Sequence, residues 1–172
     1  MNIFETAIEA AKKNNISTII AASTTGNTAS KLFDVFKTEK LRLIVVTHDE
    51  GKPIKERRFN EDIRRKLLAN NITVYTHNPN LILVRKIMNK LGLSSWGRYL
   101  SEIEAKYGTG IKVCHIIVRM LMKGKIIREG KFLTIAGKKT GADSAAIMSV
   151  GTPYKWPILK EIIASPNISE RR

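Results

Sequence analysis

The chain runs Thr18-Ile19-Ile20-Ala21-Ala22-Ser23-Thr24-Thr25-Gly26-Asn27-Thr28-Ala29-Ser30-Lys31-Leu32 near its amino-terminal end. Residues 19–22 are apolar and predict a buried strand. Ala29, Leu32, Phe33 and Phe36 then recur at the spacing of one helix face and predict an amphipathic helix. The six residues between are small and rich in hydroxyl groups. The stretch therefore predicts a strand that leads into a helix through a turn of little side-chain bulk.

This turn is the first candidate binding site, and it is formed by Ser23, Thr24, Thr25, Gly26, Asn27 and Thr28. A helix N-terminus directs free amide groups and the positive end of the helix dipole at one point, where phosphate groups bind well. The hydroxyl groups add donors, and Gly26 lets the backbone approach a ligand closely. A turn that only caps the helix is the alternative interpretation. Because the stretch matches neither a Walker loop nor a Rossmann fingerprint, both interpretations stay open at this point.

The alternation of strand and helix patterns continues along the chain. We predict helices over residues 4–14, 28–37, 61–69, 81–91 and 110–123, and strands over 17–22, 41–47, 72–76, 131–136 and 158–164. Asn60 is the expected N-cap of the third helix, Gly124 the expected C′ residue of the last, and residues 92–97 an expected loop. Three successive β-then-α units predict an α/β fold with a largely parallel sheet. We expect one domain over residues 1–172, with an N-terminal helix (1–15) packed on it and a frayed tail (167–172).

Ligand loops of such sheets lie beyond the carboxyl ends of the strands. This rule places three segments at one edge: the turn at residues 23–28, the loop that begins at His48, and the loop over residues 137–143. His48 is either an acid/base or ligand contact near neutral pH or a surface residue. Asp143 either accepts hydrogen bonds from a ligand or caps the next element. Lys112 either adds positive charge to the site or is an ordinary surface lysine.

The charge of the chain is unusual, with 30 basic against 15 acidic residues and a formal net charge of +15. Such a surface attracts nucleic acid, anionic membranes or phosphorylated small molecules. The basic residues are spread over separate segments, however, and aromatic residues, at 6%, do not interleave with them as stacking platforms would. We therefore favour a solvated basic surface and keep nucleic acid as an alternative partner. No apolar run approaches the roughly 20 residues of a membrane span, so no membrane association is expected.

The cysteine and histidine content narrows the chemistry further. A single cysteine, Cys114, forms no intramolecular disulfide and fits a reducing, cytoplasmic location. Because the three histidines show no ligand spacing, we expect no metal site. Cys114 stands among apolar residues, which favours core packing over a role as a nucleophile.

Several segments together resemble the C-terminal domain of pyruvate kinase. They are Ala-Ser-Thr-Thr-Gly-Asn-Thr-Ala at residues 22–29 and Ile-Val-Val-Thr-His at residues 44–48. In that domain a similar turn holds a phosphate of an allosteric sugar bisphosphate. A stand-alone archaeal family of pyruvate kinase alpha/beta domain-like proteins is similar over more of the chain, through Lys112-Val113-Cys114, Gly137-Lys138-Lys139-Thr140-Gly141-Ala142-Asp143-Ser144-Ala145 and Leu159-Lys160-Glu161-Ile162-Ile163-Ala164-Ser165-Pro166. The resemblance covers about residues 4–166.

The resemblance implies a three-layer αβα architecture with a mostly parallel sheet and an antiparallel edge strand. Members of the stand-alone family are similar to flavin mononucleotide (FMN) binders, so FMN is the implied cofactor. The implied cofactor-binding residues are those of the turn together with His48, Lys112, Gly137, Lys138, Thr140, Gly141, Ala142 and Asp143. Lys138 and Lys139 stand where the family has small or aromatic residues, and they suit a phosphate better than a flavin ring. Trp96 and Tyr99 either stack on such a ring or fill a core or lid position.

No catalytic constellation is visible in the sequence: nucleophile elbow, Walker motif and paired loop carboxylates are all missing. No pyruvate kinase activity is expected, because the catalytic barrel is not in this sequence. The expected function is binding of a phosphorylated small molecule, most specifically FMN, by the Ser/Thr-rich loop. The alternatives are a basic protein associated with nucleic acid and a sensor-type binding module without catalysis. A homo-oligomer would fit any of them.

Overall fold

A computed structural model of the chain describes residues 2–36, 39–48, 58–77, 94–138, 141–152 and 156–166. In chain order the elements are α1 (Ile3–Lys13), β1 (Thr18–Ala22), α2 (Asn27–Phe36), β2 (Arg42–His48), α3 (Glu61–Ala69), β3 (Thr73–His77), α4 (Ser95–Tyr107), α5 (Thr109–Lys123), β4 (Gly130–Ala136), β5 (Ser144–Val150) and β6 (Ile158–Ala164). Most predicted elements are confirmed within one or two residues. The predicted helix at 81–91 and the tail at 167–172 lie outside the described residues.

The six strands form one sheet in the order β3-β2-β1-β4-β5-β6. The pairs β3–β2, β2–β1 and β1–β4 are parallel, whereas β4–β5 and β5–β6 are antiparallel. The predicted fold class, a mostly parallel sheet with an antiparallel edge, is therefore confirmed. Strands β1 and β2 are apolar along nearly their whole length because both faces of this part of the sheet are covered.

Helices cover the sheet on both faces and make three layers. On one face α1, α2 and α3 pack on alternate strand residues such as Ile19, Val45 and Ile135. On the other face α5, with part of α4, packs on the intervening residues such as Ile20 and Ile44. The alternation follows from the two-residue period of a strand. It divides the apolar core into two clusters, one on each side of the sheet.

Three helices end in the same way, at the edge of the sheet where β1, β3 and β4 begin. After α1, α3 and α5 the residue in the left-handed conformation is Asn15, Asn71 and Lys125, with φ of 52°, 58° and 56°. The following isoleucine amide donates to the carbonyl five residues earlier, as in Ile16 N to Ala11 O at 2.9 Å. This is the Schellman motif, in which main-chain amides satisfy the last helix carbonyls. The two Asn-Asn stops were predicted correctly.

Two predictions at helix ends were wrong. Gly124, expected as the left-handed residue, has φ of −74° and is instead the C-cap. Its lack of a side chain matters for packing, because a Cβ there would lie 2.5 Å from the hydroxyl oxygen of Tyr75. The loop expected over residues 92–97 is also wrong from residue 95 onward, where α4 begins. The Ser94 hydroxyl accepts a hydrogen bond from the amide of Gly97 at 3.3 Å, so the serine is an N-cap rather than a loop residue.

Candidate functional site

The carboxyl ends of β1 and β4 mark the point at which the strand order reverses. β2 and β3 lie on one side of β1, and β4 to β6 lie on the other. In open α/β sheets the crevice beyond such a switch point is the usual place for a ligand. Because Ala21 pairs with Ile135, the turn after β1 and the loop after β4 leave the sheet side by side. We call this side of the sheet, with residues 22–28, 108–112 and 137–143, the carboxyl edge.

Ser23 holds the turn in place from within. Its amide donates to the carbonyl of Val46 at 3.0 Å, and its hydroxyl oxygen accepts a hydrogen bond from the amide of Ala29 at 3.2 Å. The residue is buried. The hydroxyl of Ser23 therefore satisfies one of the free amides of the first turn of α2, as a capping side chain does.

The next three residues are fixed through their carbonyl oxygens and through packing. The carbonyl of Thr24 accepts from the hydroxyl of Thr47 at 3.2 Å, and that of Thr25 accepts from the amide of Asn60 at 3.0 Å. Gly26 has φ of +99°, and a Cβ there would lie 3.1 Å from the side chain of Ile63. A glycine is required by both the conformation and the space. The start of α3 thus clamps the turn against β2.

The remaining polar groups of the turn are free. Within the described residues, the hydroxyl groups of Thr24, Thr25 and Thr28 have no hydrogen-bond partner, and neither do the main-chain amides of Gly26, Asn27 and Thr28. No acidic residue stands in the first turn of α2 to offset the positive end of its dipole. Asn27 is exposed and Thr24, Thr25 and Thr28 are half-buried. This donor set has the geometry and the charge that an anion requires.

The loop after β4 folds back on itself. The amide of Asp143 donates to the carbonyl of Ala136 at 3.1 Å, and the amide of Gly141 donates to that of Lys138 at 3.1 Å. A Cβ on Gly137 would overlap the carbonyl oxygen of Gly141, so the two arms of the loop meet at this glycine. Ala142 and Asp143 are half-buried, whereas Lys138 and Gly141 are exposed.

The N-terminus of α5 reaches the same edge from the other face of the sheet. A Cβ on Gly110 would overlap the hydroxyl oxygen of Ser144 and lie 2.7 Å from a carboxylate oxygen of Asp143. The Ser144 hydroxyl donates to Asp143 at 2.7 Å. Asp143 forms no ion pair with any described residue. The carboxylate therefore stands at the helix terminus with an oxygen still able to accept a hydrogen bond.

Lys112 and Glu104 form an ion pair near this helix start. The hydroxyl of Thr109 also donates to Glu104, at 3.0 Å. The hydrogen bond from Lys112 is the largest influence on the Glu104 carboxyl and holds its pKa below the usual range. Burial acts in the opposite direction, but its effect on the pKa is smaller. Lys112 is therefore compensated within the protein, and Lys138, which also favours the charged form of Glu104, is exposed on the loop.

Two buried side chains of α5 lie below the edge. Burial raises the pKa of the Cys114 thiol to about 12, so the thiol stays protonated and the expected packing role is confirmed. His115 is completely buried, and its Nδ1 lies 2.9 Å from the carbonyl oxygen of Ile111. Burial lowers the pKa of His115, which favours the neutral ring. Its Nε2 has no partner among the described atoms.

The structure does not bring all predicted site residues together. His48 closes β2, where it pairs with His77, but its side chain and Thr140 lie outside the described residues, as does Lys139. Trp96 and Tyr99 stack on each other, with ring centroids 5.4 Å apart. Both pack against Trp156, which precedes β6, so they lie at the opposite edge of the sheet from the turn.

The sequence did not reveal the residues that position the turn and the helix start, which are Thr47, Asn60, Ile63, Glu104, Thr109, Gly110 and Ser144. Asn60 was recognised as an N-cap, and its side chain accepts from Asp62 and Ile63. Its main-chain bond to the turn depends on the tertiary fold and carries no sequence signal. For the start of α5 the sequence held one signal, the stretch Gly108-Thr109-Gly110 before an apolar helix. Gly108 is the N-cap and has no side chain to bind the first amides of the helix.

The described residues contain no group of three or more His, Cys, Asp or Glu side chains that could hold a metal ion. They also contain no helix long and apolar enough to cross a membrane. The sheet order and the helices on both faces define an α/β domain whose strand order reverses at β1 and β4. Residues 1–150 match the family model described as pyruvate kinase, alpha/beta domain. The chain belongs to this family.

Proposed function

We propose that the protein binds a phosphorylated small molecule at the carboxyl edge, with FMN as the specific candidate. The observation that carries the proposal is the set of free donors in the turn after β1: three threonine hydroxyls and the first amides of α2. Three unpaired main-chain amides at the positive end of a helix dipole favour a dianionic phosphate. Ser23, whose hydroxyl already caps Ala29, acts as a support for the turn rather than as a ligand contact.

The rest of the ligand would lie over the switch point, between the turn and residues 137–143. The carboxylate of Asp143 is able to accept hydrogen bonds from sugar or ribityl hydroxyls. Lys138 adds positive charge on the loop after β4, whereas Lys112 contributes little because Glu104 neutralises it. These roles leave phosphate recognition to the turn and orientation to the loop after β4.

The free donors of the turn fit the phosphate of FMN. Among the described residues, no aromatic side chain that we considered for the flavin ring lies beside the turn. Trp96 and Tyr99, the aromatic residues considered for stacking, pack against each other and Trp156 at the opposite edge. A flavin would supply redox chemistry when bound, while the chain would hold and orient it. No described group is placed as a general acid, base or nucleophile toward this ligand. We therefore propose binding and assign no reaction.

The test compares FMN with riboflavin, which lacks only the phosphate, by calorimetry on the full chain. Each hydrogen bond to a charged group contributes about 1.5 kcal/mol or more, which corresponds to about tenfold in affinity. We expect FMN to bind more tightly than riboflavin and the double variant Thr25→Val/Thr28→Val to lose at least tenfold for FMN alone. Thr6→Val, the same change on the surface of α1, is the matched control and should leave FMN binding unchanged.

Equal affinity of the wild type and the double variant for FMN would refute the assignment of the turn to the phosphate. Flavin absorption in the freshly purified protein, or a rise in Tm on adding FMN, would support this cofactor in particular. A colourless protein without such a rise would remove FMN from the proposal.

A further inference from the structure

A cleft lies at the other edge of the sheet, where β1, β2 and β4 begin. We call this the amino edge. The cleft has a volume of about 600 Å³ and is open to solvent. Its wall is formed by the residues after α1, the first residues of β1 and β2, and the approach to β4. The charged residues of the lining are Arg42, Arg128, Glu129 and Lys131.

The charge of this cleft is strongly positive. Arg42, Arg128 and Lys131 are exposed and form no ion pair with any described residue. One acidic residue, Glu129, faces these three cations. Lys13 and Lys125 adjoin the lining residues in sequence and are also exposed. Surface cations at other places, such as Arg65 and Lys66, lie in ion pairs with Asp62 and Asp34.

The helix ends at this edge do not cancel that charge. Helix C-termini carry partial negative charge on their last carbonyls, which opposes an anion. Here α1 and α5 both end in Schellman motifs, so the amides of Ile16 and Ile126 already bind those carbonyls. The side-chain amide of Asn14 donates to the carbonyl of Ala10 as well, at 3.0 Å. The free cations therefore dominate the field in the cleft.

The cleft continues sideways along the edge. A second cleft of about 350 Å³ shares Arg128 and Glu129 with the first and extends to Val150, Gly151 and Thr152 after β5. Together they cross the starts or ends of four neighbouring strands, β2, β1, β4 and β5. Three strand spacings of about 4.8 Å give a groove about 14 Å long. A duplex strand advances about 3.4 Å along the helix axis per phosphate, and the phosphates of a single strand lie farther apart, so a groove of this length spans a few phosphates.

We propose that this amino-edge groove binds the phosphate backbone of a single-stranded nucleic acid. The first cleft of this groove has a polar, cationic lining, which differs from the mostly apolar lining of a small-molecule pocket. Helix α4 begins near this edge, but its first turns pack on Trp156, and no two-stranded ribbon of the described residues projects here to enter a duplex groove. Binding of this kind reads charge and spacing rather than bases. The site lies at the opposite edge from the proposed phosphate turn and does not depend on it.

The test measures fluorescence anisotropy of a labelled single-stranded oligonucleotide of 12 nucleotides with the full chain at several salt concentrations. The variant Arg42→Gln/Arg128→Gln/Lys131→Gln removes the three groove cations. Its control, Lys31→Gln/Lys106→Gln/Lys160→Gln, removes the same charge at exposed positions outside the groove. Single-stranded binding has a salt slope of about −0.7 per phosphate contact. We expect the groove variant to reduce the slope by about two and the affinity at least tenfold, and the control to change the affinity less than twofold.

Equal losses in the two triple variants would show attraction by net charge alone and would overturn the proposed groove. So would the absence of oligonucleotide binding by the wild type at low salt. Tighter binding to anionic phospholipid vesicles or to tripolyphosphate than to the oligonucleotide, at equal phosphate concentration, would also contradict it. Thermal melts of both variants establish that each is folded before binding is compared.

Discussion

The two edges of the sheet carry different polar groups. At the carboxyl edge the chain uses glycines at points of close approach, as at Gly26, Gly110 and Gly137, together with unpaired hydroxyls and amides. At the amino edge the last carbonyl groups of three helices accept hydrogen bonds in Schellman motifs, and exposed cations line the open clefts. The same sheet thus exposes hydrogen-bond donors at its carboxyl edge and has its helix carbonyl acceptors satisfied at its amino edge.

This asymmetry follows from the direction of the helices. Helices α2 and α5 begin at the carboxyl edge and α1, α3 and α5 end at the amino edge, whereas α4 begins near the amino edge, beside Trp156. Most free amides therefore lie at one edge and most free carbonyls at the other. The two proposed sites would attract anions by different means: main-chain amides and hydroxyls at the carboxyl edge, side-chain cations at the amino edge.

The largest expected effect comes from the backbone contact in the loop after β4. In Gly137→Ala the new Cβ overlaps the carbonyl oxygen of Gly141, so the loop must open. We expect a loss of about 3 kcal/mol in the free energy of unfolding, measured by urea denaturation. Gly151→Ala at the amino edge is the matched control, because its Cβ would meet nothing closer than 3.7 Å. Equal losses at the two positions would remove the distinction between a tight and an open edge.

A smaller effect is expected in the turn after β1. Gly26→Ala places a side chain at φ of +99° and 3.1 Å from Ile63, which we expect to cost about 2 kcal/mol. Gly130→Ala shares the positive φ, at +125°, but its Cβ would lie 3.8 Å from the nearest atom. The difference between the two variants in urea unfolding isolates the contact with Ile63. If Gly130→Ala destabilises as much as Gly26→Ala, then backbone strain alone sets the cost, and α3 does not clamp the turn.

The pH dependence of stability tests the interior between the two edges. The pKa of His115 is lowered by burial in the folded state, so the unfolded chain binds this proton first as pH falls. Stability contributed by the neutral ring is present above the unfolded pKa of about 6.5 and is lost as pH falls below it, by up to about 1.4 kcal/mol per pH unit. The comparison is the slope of unfolding free energy against pH for the wild type and His115→Gln. A variant that is merely less stable, with an unchanged slope below pH 6.5, would contradict burial of a neutral ring.

Much of this arrangement was predictable from local sequence. The stretch from Thr18 to Leu32 combines a β-branched run, a turn and a helical stripe, and each of these signals is carried by residues within a few positions of one another. The Asn14-Asn15 and Asn70-Asn71 stops were also legible, since asparagine tolerates the left-handed conformation. Because ligand loops of α/β sheets lie beyond the carboxyl ends of the strands, the sequence also predicted that the loops after β1 and β4 lie at the same edge.

The rest depended on contacts between distant segments. Gly124 looked like a left-handed residue, yet Lys125 takes that conformation and Gly124 makes room for Tyr75. Trp96 and Tyr99 were candidates for a flavin contact because a sequence does not show which end of a helix faces the site. The pairing of Lys112 with Glu104 and the packing of Gly110 on Ser144 have the same origin. Such features follow from tertiary packing and not from spacing.

The most direct test of the proposed binding edge is a titration of the isotopically labelled full chain with FMN, followed through its backbone amide resonances. We expect the largest shifts at Gly26, Asn27 and Thr28, whose amides are unpaired, with smaller shifts at Asp143 and none at Arg128 or Lys131. Shifts confined to the amino edge, or no shifts at the turn at saturating FMN, would contradict the assignment of the phosphate to the turn after β1.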